Sequence, residues 1–141
     1  MEKNVQGKHV LGNALVYGNA LVYGNALVYG NARVSGDALV SGNARVSGDA
    51  WVSGNAQVSG DAWVSRNDNY ILIGPLGSRQ SFLTAHKDSK IGIRINTGCF
   101  SGTIEEFESA VHTTHAGTKH ETEYMAALAL IRALSDRIQS E

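Results

Sequence analysis

Six residues in the second half of the chain have types and spacings that could do chemistry: Arg79, Cys99, His112, His115, His120 and Glu123. His112 and His115 stand three apart, as do His120 and Glu123, so each pair shares one face if its segment is helical. Two such faces meeting across a helix hairpin would offer three imidazoles and a carboxylate to a metal ion. The spacing matches no standard zinc signature, and the alternative is that these groups cap helix ends and bond the hairpin loop. His112 and His115, when protonated, would also suit a helix C-terminus. A second chemistry is anion binding. Gly74-Pro75-Leu76-Gly77-Ser78-Arg79 is a glycine-bearing turn with a cation, and helix starts at Thr103 and Thr118 would present free N–H groups. Ser78, Arg79, Thr118, Lys119 and His120 could then gather around a phosphate or nucleotide. No Gly-Lys-Ser/Thr accompanies the turn, so a plain β-turn remains the alternative. Cys99 could act as a nucleophile only with a base brought to it by folding.

The elements that must position these groups are legible in outline. Tyr70–Ile73 reads as a strand ended by Gly74–Ser78. Ser81–His86 and Ile91–Asn96 read as two more, joined by the polar turn Lys87-Asp88-Ser89-Lys90, and residues 97–102 read as a turn. Thr103-Ile104-Glu105-Glu106 and Thr118-Lys119-His120-Glu121 are capping boxes that open two helices. Ile104, Phe107 and Val111 stripe the first, which should end near Ala116-Gly117. The second carries Tyr124, Leu128, Ile131, Leu134 and Ile138. Between Tyr124 and Leu134 only Arg132 is charged, which predicts burial on more than one side. The expected module is α+β in the order βββαα over residues 68–141, after a boundary at Arg66-Asn67-Asp68-Asn69.

Residues 1–67 follow another rule. Nine hexads begin at Gly12, Gly18, Gly24, Gly30, Gly36, Gly42, Gly48, Gly54 and Gly60, each reading Gly-Asn/Asp-Ala-x-Val-Tyr/Ser. Ala and Val share parity, so both point to one side of a strand while the residue between them points outward. A strand of about four residues and a Gly-Asn/Asp corner account for six. Three hexads to a coil would stack residues 18 apart. Leu15, Arg33 and Trp51 then form one outward column and Leu27, Arg45 and Trp63 another, with each Arg poised over a Trp. The corner columns become Asn13/Asn31/Asp49, Asn19/Asp37/Asn55 and Asn25/Asn43/Asp61, in which no Asp stands on another.

The hexads resemble the hexapeptide-repeat family, although Gly falls one place later after the aliphatic residue than in the usual motif. That resemblance implies a left-handed parallel β-helix of triangular section, here of three coils, making the fold mainly β with a small α+β domain behind it. It also implies side-by-side trimers, and Leu15, Tyr17, Leu21, Tyr23, Leu27, Tyr29, Trp51 and Trp63 are the expected interface. Acyltransferases of that family use a His on a coil or an excluded loop and bind an acyl-thioester cofactor between subunits. Residues 12–65 contain no His, Cys or Lys, and only His9 lies nearby, so a non-catalytic assembly protein with no cofactor is expected, with acyl transfer as the alternative. The stretch ILIGPLGSR, with TGCFSGTIEEFESAVHTTHAGTKHETEYMAALALIRA, is similar to a C-terminal module of uncharacterised bacteriophage and prophage proteins. It implies a phage or prophage origin and no established activity. With that origin, the module is expected to be a binding face that counters host defence by binding a host protein or sequestering a nucleotide signal, with a virion-associated role as the structural alternative.

Composition agrees with that expectation. Charged residues make up 18% of the 141, against about 25% in ordinary domains, and the net charge is −1, which gives no pull toward DNA or an acidic membrane. The single cysteine fits a reducing compartment, and no apolar run approaches the roughly 20 residues needed to cross a membrane. A cytoplasmic protein without a signal peptide is the expectation.

Overall fold

The computed structural model describes residues 9–141. Each hexad contributes one short strand: β1 (Leu15–Val16), β2 (Leu21–Val22), β3 (Leu27–Val28), β4 (Arg33–Val34), β5 (Leu39–Val40), β6 (Arg45–Val46), β7 (Trp51–Val52), β8 (Gln57–Val58) and β9 (Trp63–Val64). They form three parallel sheets, β1-β4-β7, β2-β5-β8 and β3-β6-β9, with the 18-residue register expected from the sequence. The strands have two residues each, not four, because the corner takes more of the hexad than two residues. Each corner is a four-residue β-turn closed by an Ala N–H, as where Ala14 donates to the Leu11 carbonyl at 3.3 Å. Positive φ falls on the glycine and not on the following Asn or Asp, which is the type II′ pattern.

The corner glycine is fixed for two reasons. Gly42 has φ +64°, and a methyl group there would lie 2.8 Å from the Gly60 amide nitrogen one coil on. Gly98, in a hairpin turn, has φ +55° with nothing within 4 Å. The left-handed backbone alone costs an L-residue about 1–2 kcal/mol. Gly42→Ala is therefore expected to lose roughly twice what Gly98→Ala loses in urea unfolding. Equal losses would show that φ alone sets the requirement.

Ala and Val of every hexad fill the inside of the coils, almost all fully buried. The corner amides ladder along the stack: Asn13 Nδ2 donates to Asn31 Oδ1 (3.4 Å), Asn19 to Asp37 (3.2 Å) and Asn25 to Asn43 (3.3 Å). Of the two expected Arg–Trp stacks one forms, with the Arg33 guanidinium 5.5 Å from the Trp51 ring. Trp63 instead has Lys87 Nζ at 5.6 Å, because the following sheet brings a second cation to its ring.

After a single 3-10 turn (Asn67–Asn69) come four antiparallel strands, β10 (Tyr70–Leu76), β11 (Ser81–Asp88), β12 (Gly92–Thr97) and β13 (Phe100–Gly102), in that spatial order. Helices α1 (Ile104–His115), α2 (Lys119–Ala133) and the one-turn α3 (Ser135–Ile138) follow. The module is thus ββββααα and not βββαα. The segment expected as a turn at 97–102 is a tight hairpin in which Thr97 pairs with Phe100 across Gly98-Cys99. β10 does not stop at Gly74: a bulge between Ile73 and Leu76 carries it past Gly74-Pro75. Lys87 and Asp88 belong to β11, pairing with Ile93 and Gly92, so the turn is shorter than the polar run.

The sheet is two-sided. Leu83, Ala85, Ile93 and Ile95 join Phe107, Val111, Tyr124, Leu128, Ile131 and Ile138 in a core with the helices. Tyr70 and Leu72, of opposite parity to Ile71 and Ile73, pack against the coil interior instead. α2 buries one stripe, Tyr124, Ala127, Leu128 and Ile131, and leaves Ala126, Ala129, Leu130 and Ala133 exposed. Burial on two sides is therefore not met within the chain.

Candidate functional site

The α1–α2 hairpin brings the four candidate ligands near one another but not together. His112 Nδ1 lies 2.6 Å from Glu121 Oε2, and its Nε2 faces Glu108 at 3.8 Å. Glu108 is bonded in turn by Arg132 Nη2 at 2.7 Å, which first among its neighbours holds that carboxyl below the ordinary range. His120 turns to Glu123, 3.6 Å away, and its ring meets His115 at 5.7 Å between centroids. The imidazoles thus diverge: His112 pairs with carboxylates, while His115 packs its ring against His120 and Tyr124 and the buried His120 Nδ1 has no hydrogen-bond partner. Among the described residues no three His, Cys, Asp or Glu side chains converge as a metal site would require. The physical reason is the hairpin's crossing, which presents Glu121 rather than His120 to His112.

Two backbone N–H groups beside the expected anion site are engaged by the chain's own carboxylates. The Gly77 N–H donates to Glu123 Oε1 at 2.9 Å, the leading cause of that carboxyl's lowered pKa. The Gly117 N–H donates to Glu121 Oε1 at 3.0 Å, and with His112 behind it depresses Glu121 likewise. Thr103 and Glu106 complete their capping box. Thr118 makes only half of one, accepting from the Glu121 N–H, because the Glu121 carboxylate has gone to Gly117 and His112. Ser78, Arg79, Thr118 and Lys119 are exposed. Cys99 is exposed at the β12–β13 turn, over a shallow groove lined by Tyr23, Leu39 and Phe100 but by no imidazole. His9 Nδ1 meets the Ala26 carbonyl at 3.0 Å, at the top of the stack.

The densest polar cluster is one that sequence reasoning missed. The last coil of a parallel stack ends in a row of unpaired N–H and C=O groups, the open-edge problem of any sheet. Here the polar faces of β11 and β12 lie across it. Thr84 Oγ1 accepts from the Gln57 N–H (2.9 Å), His86 Nε2 from the Ser59 N–H (3.3 Å) and Asp88 Oδ2 from the Asp61 N–H (3.2 Å). Asn96 Nδ2 donates to the Gln57 carbonyl (2.9 Å) and to His86 Nε2 (3.1 Å), while its Oδ1 accepts from Ser59 Oγ (3.1 Å). Arg94 Nε pairs with Asp88 at 2.9 Å. Alternate side chains of β11 and β12 thus stand in for a fourth coil.

The network fixes one tautomer. Two N–H donors converge on His86 Nε2, so its proton is on Nδ1, which donates to the Lys87 carbonyl at 2.9 Å. Burial lowers the His86 pKa to about 4, against smaller raising effects of the Lys87 carbonyl and Asp88. Asp88 is held below the usual carboxylate range: burial opposes its charge, but Arg94 and the N–H groups of Lys90 and Ile91 outweigh it. His86 is fully buried between the two layers and Asp88 nearly so. The available signal was the period-2 alternation of Thr84, His86 and Asp88 with Leu83, Ala85 and Lys87, which normally marks a solvent face.

Comparison with known proteins bears on the coils alone. Residues 14–30, 20–36, 26–42 and 38–54 match a family model described as YdcK Beta solenoid repeat. The windows step by six or twelve residues, one or two hexads. Part of the chain is therefore similar to a repeat-built β-solenoid, in agreement with the three stacked sheets. No curated protein and no solved structure matches the chain.

Proposed function

We propose that this chain is a non-catalytic, self-associating binding protein in which the solenoid is the assembly element and the C-terminal module is displayed in several copies. The reading takes the coil as left-handed and the assembly as a trimer, both on its resemblance to hexapeptide-repeat proteins. The observation that carries it is an apolar patch on the β2-β5-β8 face, where Leu21 and Tyr23 are 46% and 48% exposed and stand beside Leu39. Exposed apolar area that clusters in this way marks interaction surfaces. Leu15, Tyr17, Leu27 and Tyr29 are half-buried within the chain and contribute less. The module's helix starts and loop amides support the same reading, since Glu106, Glu121 and Glu123 already engage them. Multiple copies of a weak binding face raise avidity without new contacts.

Charge placed in the patch tests this. The variant carrying Leu21→Glu and Tyr23→Glu is expected to keep the wild-type circular dichroism spectrum and to fall to the mass of one chain in light scattering. An unchanged oligomeric mass would remove the patch from the interface.

A further inference from the structure

The outward residues of the nine hexads run Leu, Leu, Leu, Arg, Leu, Arg, Trp, Gln, Trp. Wound three to a coil, they put one column on two faces: Leu15–Arg33–Trp51 on β1-β4-β7 and Leu27–Arg45–Trp63 on β3-β6-β9. Beside each lies a corner column, Asn13–Asn31–Asp49 or Asn25–Asn43–Asp61. Each pair of columns walls an open groove, of about 580 Å³ on the first face and about 520 Å³ on the other, within the range of small-ligand sites.

The third face departs from the pattern where the cap covers it. From Gly30 the chain repeats a twelve-residue unit, and the unit's Arg (Arg33, Arg45) becomes Gln57 in its last copy. Gln57 is the residue whose backbone Thr84 and Asn96 engage. Arg is kept at the two positions that line a groove and lost at the covered one, whereas simple copying of the unit would have kept it at all three.

We propose that the two grooves are similar binding sites for an acidic oligosaccharide, a chain of pyranose rings bearing carboxylates. Trp51 and Trp63 each carry a cation against the ring, Arg33 and Lys87, and their remaining half-exposed indole surface offers a flat apolar face to the C–H side of a sugar ring. Arg33 and Arg45 make no ion pair among the described residues, and a guanidinium binds a carboxylate through two parallel N–H bonds. Asn13 and Asn25 each use one N–H along the column, and Asn31 and Asn43 accept there through Oδ1, leaving donor and acceptor capacity for hydroxyls. Coils repeat about every 4.8 Å, on the order of the length of one sugar ring, so successive rings meet successive coils. Asp49 and Asp61 at the foot of the columns, the latter 3.6 Å from Lys90 Nζ, accept hydrogen bonds from hydroxyls and oppose a densely charged phosphate polymer. This proposal takes Trp51 and Trp63 out of the assembly surface and does not depend on the Leu21–Tyr23 patch.

Calorimetric titration tests it with hexamers of galacturonate, mannuronate and hyaluronan, and with maltohexaose as the neutral control. At least one acidic hexamer is expected to bind at two sites per chain, with maltohexaose at least tenfold weaker. Arg45→Gln, which copies the residue found at Gln57, should remove one of the two sites with the circular dichroism spectrum unchanged. Trp63→Ala should do the same with the oligomeric mass unchanged. Failure of all three acidic hexamers to bind, equal binding of maltohexaose, two sites surviving Arg45→Gln, or a change of mass in Trp63→Ala would each overturn the proposal.

Discussion

Lowering the pH from 7 to 4 is expected to remove about 3 kcal/mol of folding stability through His86 alone. In the folded chain His86 is fully buried, accepts at Nε2 from Ser59 and Asn96, and has its pKa pushed down to about 4 from 6.5. The neutral ring is thus the folded form, and the unfolded chain takes up the proton first. Its stabilisation is complete above pH 6.5, falls as the pH drops toward 4, and changes no further below that, where both states are protonated. Asp88, with its pKa also lowered on folding, adds a loss of the same sign at still lower pH. Urea titrations at half-unit pH intervals measure the slope. His86→Gln retains a side-chain acceptor but cannot titrate, so its profile should lose the His86 slope between pH 6.5 and about 5 and keep only the loss nearer pH 4 that the depressed carboxylates of Glu108, Glu121 and Glu123 contribute. A wild-type profile as flat as the variant's between pH 6.5 and about 5 would mean that His86 is not sealed in the seam.

Asn69→Leu is expected to destabilise the chain by roughly 3–5 kcal/mol, since each buried polar group left unpaired costs about 1–3 kcal/mol. Asn69 is fully buried where the last coil meets the C-terminal module. Its Oδ1 accepts from the Ser65 and Arg66 N–H groups, both at 3.0 Å. Its Nδ2 donates to the Ile138 carbonyl at 3.0 Å and the Ser140 carbonyl at 2.8 Å. One amide therefore terminates the β9 edge and ties down the end of α3. Leucine is close in size, so the loss reports hydrogen bonds rather than volume. Thermal or urea unfolding checks it, and a loss below 1 kcal/mol would show that water replaces the amide without penalty.

Nearly all of the solenoid was legible because its information is local and repeated. Gly at the corner, Ala and Val inside, and the residue between them outside each follow from the hexad, and residue columns 18 apart fixed the register before any contact was seen. The Arg45–Trp63 stack failed for a non-local reason: Lys87, distant in sequence, reaches the same ring. β13 was overlooked because three residues around Gly98-Cys99 carry too little pattern to separate a turn from a hairpin. The seam was overlooked for a deeper reason. Thr84, His86 and Asn96 stand beside the apolar Leu83, Ala85 and Ile95 as residues facing water do, and alternation says nothing of whether a polar face meets solvent or the backbone edge of another element. The helix hairpin shows the same limit, since the partners of His112 were all visible in the sequence but the crossing decides which carboxylate it meets.

Self-association through the solenoid is the premise of the proposed function, and multi-angle light scattering of the purified protein measures it. A chain of 15.0 kDa should give a particle of about 45 kDa, three times that mass, at micromolar concentration. A mass of one chain, unchanged on raising the concentration, would contradict it.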